Sequence, residues 1–177
     1  MSGGGRGGGP QGAAVTGRRD RPGPGSDAEW LRRAVQLSRR CPPSPTAFSV
    51  GAILVAADGR ELARGHSRQD GGRVHAEEAA LRSLGNPRPS LRDATLYTSL
   101  EPCTRRASSP SPCTRLVLAA GIGRVVVAWR EPPLFVADCT GVETLRAAGV
   151  EVVCRDELAE AARAVNRHLL PSGPAGG

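Results

Sequence analysis

Residue types that can do chemistry together occur in three short stretches of the 177-residue chain: His75-Ala76-Glu77, Glu101-Pro102-Cys103 and Pro112-Cys113. One imidazole and two thiolates form a known ligand set for a catalytic zinc, whose fourth tetrahedral position stays open to water. The two thiolates balance the metal's charge. Glu77, a carboxylate left outside the ligand set, would then be free to take a proton from that water and give it back. On a ring carbon bearing an amino group these steps amount to hydrolytic deamination, with Glu77 protonating the adjacent ring nitrogen and later the leaving amine. Taken singly, each stretch has a plainer reading. A histidine at a helix start is commonly a cap, and a cysteine after a strand a small core side chain. Together they point to the metal-assisted chemistry.

The elements that must position these residues can be read from pattern. Ser26 with Glu29 forms a capping box, and Trp30, Leu31, Ala34, Val35 and Leu37 recur at helical spacing, which predicts a helix over 27–40. Cys41-Pro42-Pro43-Ser44-Pro45 ends it. Residues 49–56 read as a buried strand, Asp58-Gly59 as a hairpin turn and Glu61 to His66 as the returning strand. Helices are expected over 75–84, 113–120 and 140–148, strands over 94–99, 124–129 and 150–153, and one final amphipathic helix over 155–170. Pro112 and Gly121 stand where they favour the start and the stop of the 113–120 helix. This order predicts an α/β fold, a three-layer α-β-α sandwich around a central mixed sheet of about five strands. His-x-Glu then opens a helix after one strand, and Pro-Cys follows the end of the next. Both fall on one edge of the sheet, where α/β sites sit. At about 3.6 residues per turn, i and i+2 diverge on a regular helix, so His75 and Glu77 can share a site only where the helix has barely begun. Cys113 stands at another helix start, where the dipole favours thiolate.

Composition narrows the partners. All 24 cationic residues are Arg, and against 17 acidic residues they leave a net charge of +7. Arg6, Arg18, Arg19 and Arg21 against Asp20 place +3 of this in residues 1–25, a Gly/Arg-rich stretch with no apolar run longer than Ala13-Ala14-Val15. The expectation is a disordered tail over 1–25, one domain over 26–170 and a disordered end over 171–177. The remaining +4 does not argue for a nucleic-acid partner, because stacking platforms need aromatics and only Trp30, Phe48, Tyr97, Trp129 and Phe135 are available. No run approaches the roughly 20 apolar residues of a membrane span, and no secretory h-region is present, so a cytoplasmic protein without a membrane partner is expected. Cys41, Cys139 and Cys154 complete no ligand spacing and read as idle thiols.

His-Ala-Glu followed by Glu-Pro-Cys and a second cysteine resembles the zinc signature of the cytidine deaminase superfamily. Nine residues separate Cys103 from Cys113. With Thr98-Ser99-Leu100 before that gap and Ala119-Ala120-Gly121-Ile122-Gly123-Arg124 after it, the pattern is most similar to the deaminase domain of riboflavin biosynthesis, over about residues 27–168. The resemblance implies Zn2+ held by His75, Cys103 and Cys113, with Glu77 catalytic. It also implies a small phosphorylated aminopyrimidine as substrate, contacted by His66, Ala76, Arg105 and Arg106. It implies a homo-oligomer, dimer or tetramer, and, since the chain ends at Gly177, a reductase carried by a separate protein. One departure points elsewhere. Where that family has Asn-Pro before Val-Gly, this chain has Ala47-Phe48-Ser49, and Phe-Ser-Val-Gly-Ala is similar to the Phe-Pro-Val-Gly-Ala of free cytidine deaminases. Cytidine or deoxycytidylate deamination, deamination of a nucleic acid, and a non-catalytic zinc module therefore stand as alternatives.

Overall fold

The structure, a computed structural model, describes residues 25–86, 89–107, 109–135 and 138–171. The expected tail and end, apart from Gly25 and Pro171, lie outside the described residues. Helix α1, Asp27–Ser38, starts as its capping box predicts, with the Ser26 hydroxyl accepting from the Glu29 amide at 3.3 Å, and it buries Trp30, Leu31, Ala34, Val35 and Leu37. The hairpin follows as β1, Gly51–Val55, and β2, Glu61–His66. The chain then alternates through α2 (Ala76–Ser83), β3 (Thr95–Thr98), α3 (Cys113–Ala119), β4 (Arg124–Val127), α4 (Gly141–Ala147), β5 (Glu151–Cys154) and α5 (Ala159–Val165).

The five strands form one mixed sheet in the order β2-β1-β3-β4-β5. β1 runs antiparallel to both β2 and β3, while β3, β4 and β5 are parallel. Register puts Gly51 opposite His66, Ala52 opposite Thr98, and Thr98 beside Val127. The start of β1 and the ends of β2, β3 and β4 thus share one edge. Val125, Val126 and Val127 are at most 1% exposed, as a strand covered on both faces requires.

Two glycines show how the covering helices divide. A Cβ on Gly51 would strike the Ala34 carbonyl of α1, and one on Gly65 would strike the α2 backbone at Ala80 and Ala76. Gly65 pairs with Ala52, one residue along from Gly51, so α1 and α2 press on opposite faces. α2, α3 and α4 pack in sequence as one layer, and α5 joins α1 in the other. Among the described residues no helix is long and apolar enough to cross a membrane.

The final segment differs from the single helix expected over 155–170. It breaks into a 3-10 turn at Asp156–Leu158, α5, and a second 3-10 turn at Arg167–Leu169. The break coincides with Asn166, 2% exposed, whose side chain accepts from the Ser49 amide at 2.7 Å and donates to the Ser49 carbonyl at 3.1 Å. A buried amide that grips a distant backbone competes with continued helix.

Asp27, 8% exposed, fastens α1 to the sheet. Its carboxylate accepts from both Arg124 Nη atoms at 2.8 and 2.7 Å and from the Tyr97 hydroxyl at 2.9 Å. Burial opposes ionisation, but the Arg124 and Tyr97 hydrogen bonds outweigh it and hold the pKa below the usual carboxylate value. D27N is expected to destabilise the protein at pH 7 by on the order of 2–3 kcal/mol, because it takes from the partly buried Arg124 guanidinium its buried charge partner and leaves it only the more exposed Glu151. A depressed carboxylate contributes stability above its unfolded pKa and loses it in acid, so the gap should shrink as pH falls below about 4. Urea denaturation of both proteins at pH 7 and pH 3 reads this directly; an equal gap at both values contradicts it.

Candidate active site

His75 is the N-cap of α2, in extended conformation (φ −85°, ψ 160°), and its ring caps nothing. Because the helical ladder begins only after it, the ring and the Glu77 carboxyl can turn to the same side, as the sequence required. Cys103 lies in the loop beyond β3, and Cys113 is the first residue of α3. The nine-residue loop between them is closed tightly. The Cys113 amide donates to Cys103 Sγ at 3.4 Å, and the Thr114 amide and hydroxyl both donate to the Cys103 carbonyl at 3.2 Å.

The three ligand-type atoms converge. His75 Nδ1 lies 3.4 Å from Cys113 Sγ and 3.7 Å from Cys103 Sγ, and all three atoms lie within 4.8 Å of one another. Zinc bonds of about 2.3 Å to sulfur and 2.0–2.1 Å to nitrogen, at tetrahedral angles, would separate N and S by about 3.6 Å. The donor set fits that ion.

As free thiols, the two cysteines share a proton unequally. A hydrogen bond from Cys113 outweighs burial and brings Cys103 down to about 4, with the His75 ring adding to the effect. The same hydrogen bond, with burial, pushes Cys113 well up. Between two free thiols the buried Cys113 serves as donor to the Cys103 thiolate, whatever the helix start contributes. Burial lowers the His75 pKa, but the Cys103 hydrogen bond and charge overcome it and the net shift is upward.

Glu77 is 3% exposed, and burial pushes its carboxyl pKa up against the opposing pull of His75. The Thr98 hydroxyl donates to Glu77 Oε1 at 3.0 Å and also lies 2.9 Å from the Leu100 carbonyl. A hydroxyl has one proton, so when Thr98 serves Leu100, the contact with Glu77 is a hydrogen bond only if Glu77 is protonated and donates. Both protonation states of Glu77 therefore keep a partner.

A cleft of about 400 Å³ opens over this cluster. Of the residues singled out from sequence, His75, Ala76, Glu77, Cys103, Arg105 and Arg106 line it, with Cys113 fully buried beneath. His66 ends β2 with its ring nitrogen on the Ser67 carbonyl at 3.1 Å, beside the lining but not part of it. Arg105 is exposed. The Arg106 side chain is 4% exposed, pairs with Glu78 at 2.7 Å through Nη2, and leaves Nε and Nη1 without a hydrogen-bond partner. Cys41, Cys139 and Cys154 are free and outside the cluster.

Several residues of the cleft were not marked as site residues by sequence. Phe48 and Phe135 line one wall with ring centroids 4.9 Å apart, and Phe48 meets Trp129 edge-on at 5.4 Å. Glu131 lines the cleft too, and burial pushes its carboxyl up to about 7, Cys139 opposing and the nearby Cys103, Glu77 and Glu101 charges assisting. Its place just beyond the carboxyl end of a parallel strand was the available signal.

Residues 24–129 match the sequence model described as the cytidine and deoxycytidylate deaminase zinc-binding region. The chain is 37% identical over 132 residues to a diaminohydroxyphosphoribosylamino-pyrimidine deaminase of Schizosaccharomyces pombe, covering 73% of this chain and 32% of that protein. Among solved structures it is similar to a diaminohydroxyphosphoribosylaminopyrimidine deaminase/5-amino-6-(5-phosphoribosylamino)uracil reductase from Thermotoga maritima, with TM-score 0.66, 34% identity and coverage of 78% and 38% of the two chains. It is also similar to the Rib2 deaminase of Aspergillus oryzae, a C-terminal deletion mutant, with TM-score 0.67, 28% identity and coverage of 81% and 98%. The chain thus spans about a third of the length of the fission-yeast relative it matches.

The geometry predicts which cysteines matter for metal. Loaded with zinc and dialysed, the protein is expected to retain one equivalent; C103S and C113S should each weaken retention by at least about tenfold, and C41S, C139S and C154S should not. Metal analysis of the six proteins decides, and loss in C139S would enlarge the ligand set.

Proposed function

The chain belongs to the cytidine and deoxycytidylate deaminase zinc-binding family, and from that premise we propose that it is a zinc-dependent hydrolytic deaminase of a small phosphorylated aminopyrimidine. The substrate favoured is the diaminopyrimidinone ribosylamino phosphate of riboflavin biosynthesis, which the names of the relatives support. One observation carries the reading. The buried, proton-ready carboxyl of Glu77 stands at the His75, Cys103 and Cys113 cluster on the floor of a cleft.

His75, Cys103 and Cys113 would hold the zinc, which when bound supplies the Lewis acidity that makes water nucleophilic near neutral pH. Glu77 accepts a proton as the water oxygen bonds to the amino-bearing ring carbon, and delivers it to the adjacent ring nitrogen. A second proton passes by the same carboxyl to the amine, the carbon–nitrogen bond breaks, and ammonia leaves a ring carbonyl behind. Thr98 holds Glu77 in place through both transfers. Two guanidinium groups support a phosphorylated substrate: Arg105, exposed at the cleft, and Arg106, whose buried, unpartnered Nε and Nη1 could serve a phosphate oxygen once the side chain turns toward the cleft. In this reading the chain works with a reductase and assembles as a homo-oligomer.

Two measurements test the proposal. E77Q is expected to keep its zinc and lose ammonia release by about 10²-fold or more; full release by that variant ends the mechanism. The native protein should release ammonia from the riboflavin intermediate in preference to cytidine and deoxycytidylate. Activity confined to the cytidine compounds overturns the substrate assignment and favours the reading that Phe48 suggests.

A further inference from the structure

Residues 42–49 form the approach to β1 and carry Phe48 into the cleft wall. Three prolines, Pro42, Pro43 and Pro45, stand in this stretch, and it has no helix or strand of its own. Besides the Asn166 grip on Ser49 and the His168 ring 3.1 Å from the Ser44 carbonyl, it is held by a single guanidinium. Arg68 donates from Nε and Nη2 to the Pro42 carbonyl at 2.9 and 2.6 Å, from Nη1 to the Phe48 carbonyl at 3.0 Å and the Ala47 carbonyl at 3.5 Å, and from Nη2 to the Ser49 hydroxyl at 2.9 Å.

The backbone at this residue is also unusual. Arg68 has φ 66°, a left-handed conformation that costs a residue with a Cβ and suits Gly or Asn. Its amide donates to the Val74 carbonyl at 2.8 Å, closing the loop that ends at His75. The side chain's contacts offset the backbone's cost. Arg68 therefore joins two loops, the one that forms the wall and the one that delivers a residue of the metal-type cluster.

Arg68 and Arg106 both line the cleft, but they differ in what they can do there. The five N–H groups of Arg68 are committed to four loop acceptors, so it has none to spare for an anion. We infer that Arg68 is a positioning residue that fixes the 42–49 loop so that Phe48 stands as a wall for the substrate's heteroaromatic ring, and that it governs substrate affinity and selection without taking part in proton transfer. The inference rests on the proposed deaminase function. A lysine cannot replace it, because one ammonium cannot span Pro42, Phe48 and Ser49 together.

The test uses R68K, F48L and the double variant in the full chain, with ammonia-release kinetics, zinc content and amide hydrogen exchange. R68K is expected to raise KM by about tenfold with kcat within about twofold and zinc unchanged. Exchange at the amides of Phe48, Ser49 and Val50 should quicken. In the F48L background R68K should add less than about twofold to KM, because the wall it positions is already lost. Should R68K not fold, S49A, which removes one acceptor, is expected to show the same pattern in smaller degree. Unchanged exchange in R68K, or KM effects that multiply in the double variant, overturn the inference. Absence of ammonia release by the native protein would instead overturn the deaminase reading, and exchange would still decide whether Arg68 holds the loop.

Discussion

The side chain of Glu101 is 1% exposed, and a carboxylate so deeply buried must be satisfied by donors on every side. It accepts from the Val142 amide at 2.9 Å, the Glu131 amide at 3.2 Å and Arg130 Nε at 2.8 Å. Those donors come from the start of α4 and the chain just beyond β4, while the Glu101 amide itself donates to the Trp129 carbonyl at 2.8 Å. One side chain therefore gathers the ends of β3 and β4 and the head of α4 around the turn that presents Cys103. The approach of Cys103 to His75 and the placement of Glu131 in the cleft follow from that requirement.

The floor of the cleft has its own economy of protons. Glu77 is buried, its pKa is raised, and the Thr98 hydroxyl that donates to it can point to Leu100 instead. Burial makes the neutral acid accessible, and the nearby His75 keeps the carboxylate from being prohibitively costly. A group required first to accept and then to donate needs both states within reach. The net charge of +7 looks different in this light, because two of the arginines that reach the cleft do separate jobs: Arg68 is spent on loop carbonyls and the Ser49 hydroxyl, and Arg106 is half spent on Glu78.

Much of the fold was legible because it depends on local pattern. The capping box of α1, the apolar run of β4 and the alternation after the hairpin each announce themselves within a few residues. His75 and Glu77 were legible because their spacing permits only a helix start. What was hidden depends on partners far along the chain. Asn166 interrupts the last helix for the sake of Ser49, 117 residues away, and no local signal marks it. Arg68 resembles any loop arginine until its acceptors at Pro42 and Phe48 are seen. The pairing of the two thiols was hidden for a similar reason, since Cys103 comes beside Cys113 only through the closure of the loop between them.

Everything proposed for the cleft depends on the coordination sphere at His75, Cys103 and Cys113. X-ray absorption fine structure of the zinc-loaded protein measures it most directly. Two sulfur neighbours at about 2.3 Å, with two nitrogen or oxygen neighbours at about 2.0–2.1 Å, one from His75 and one from solvent, are predicted. A sphere of three or four sulfurs, or one with no sulfur, would contradict the open catalytic centre on which the rest depends.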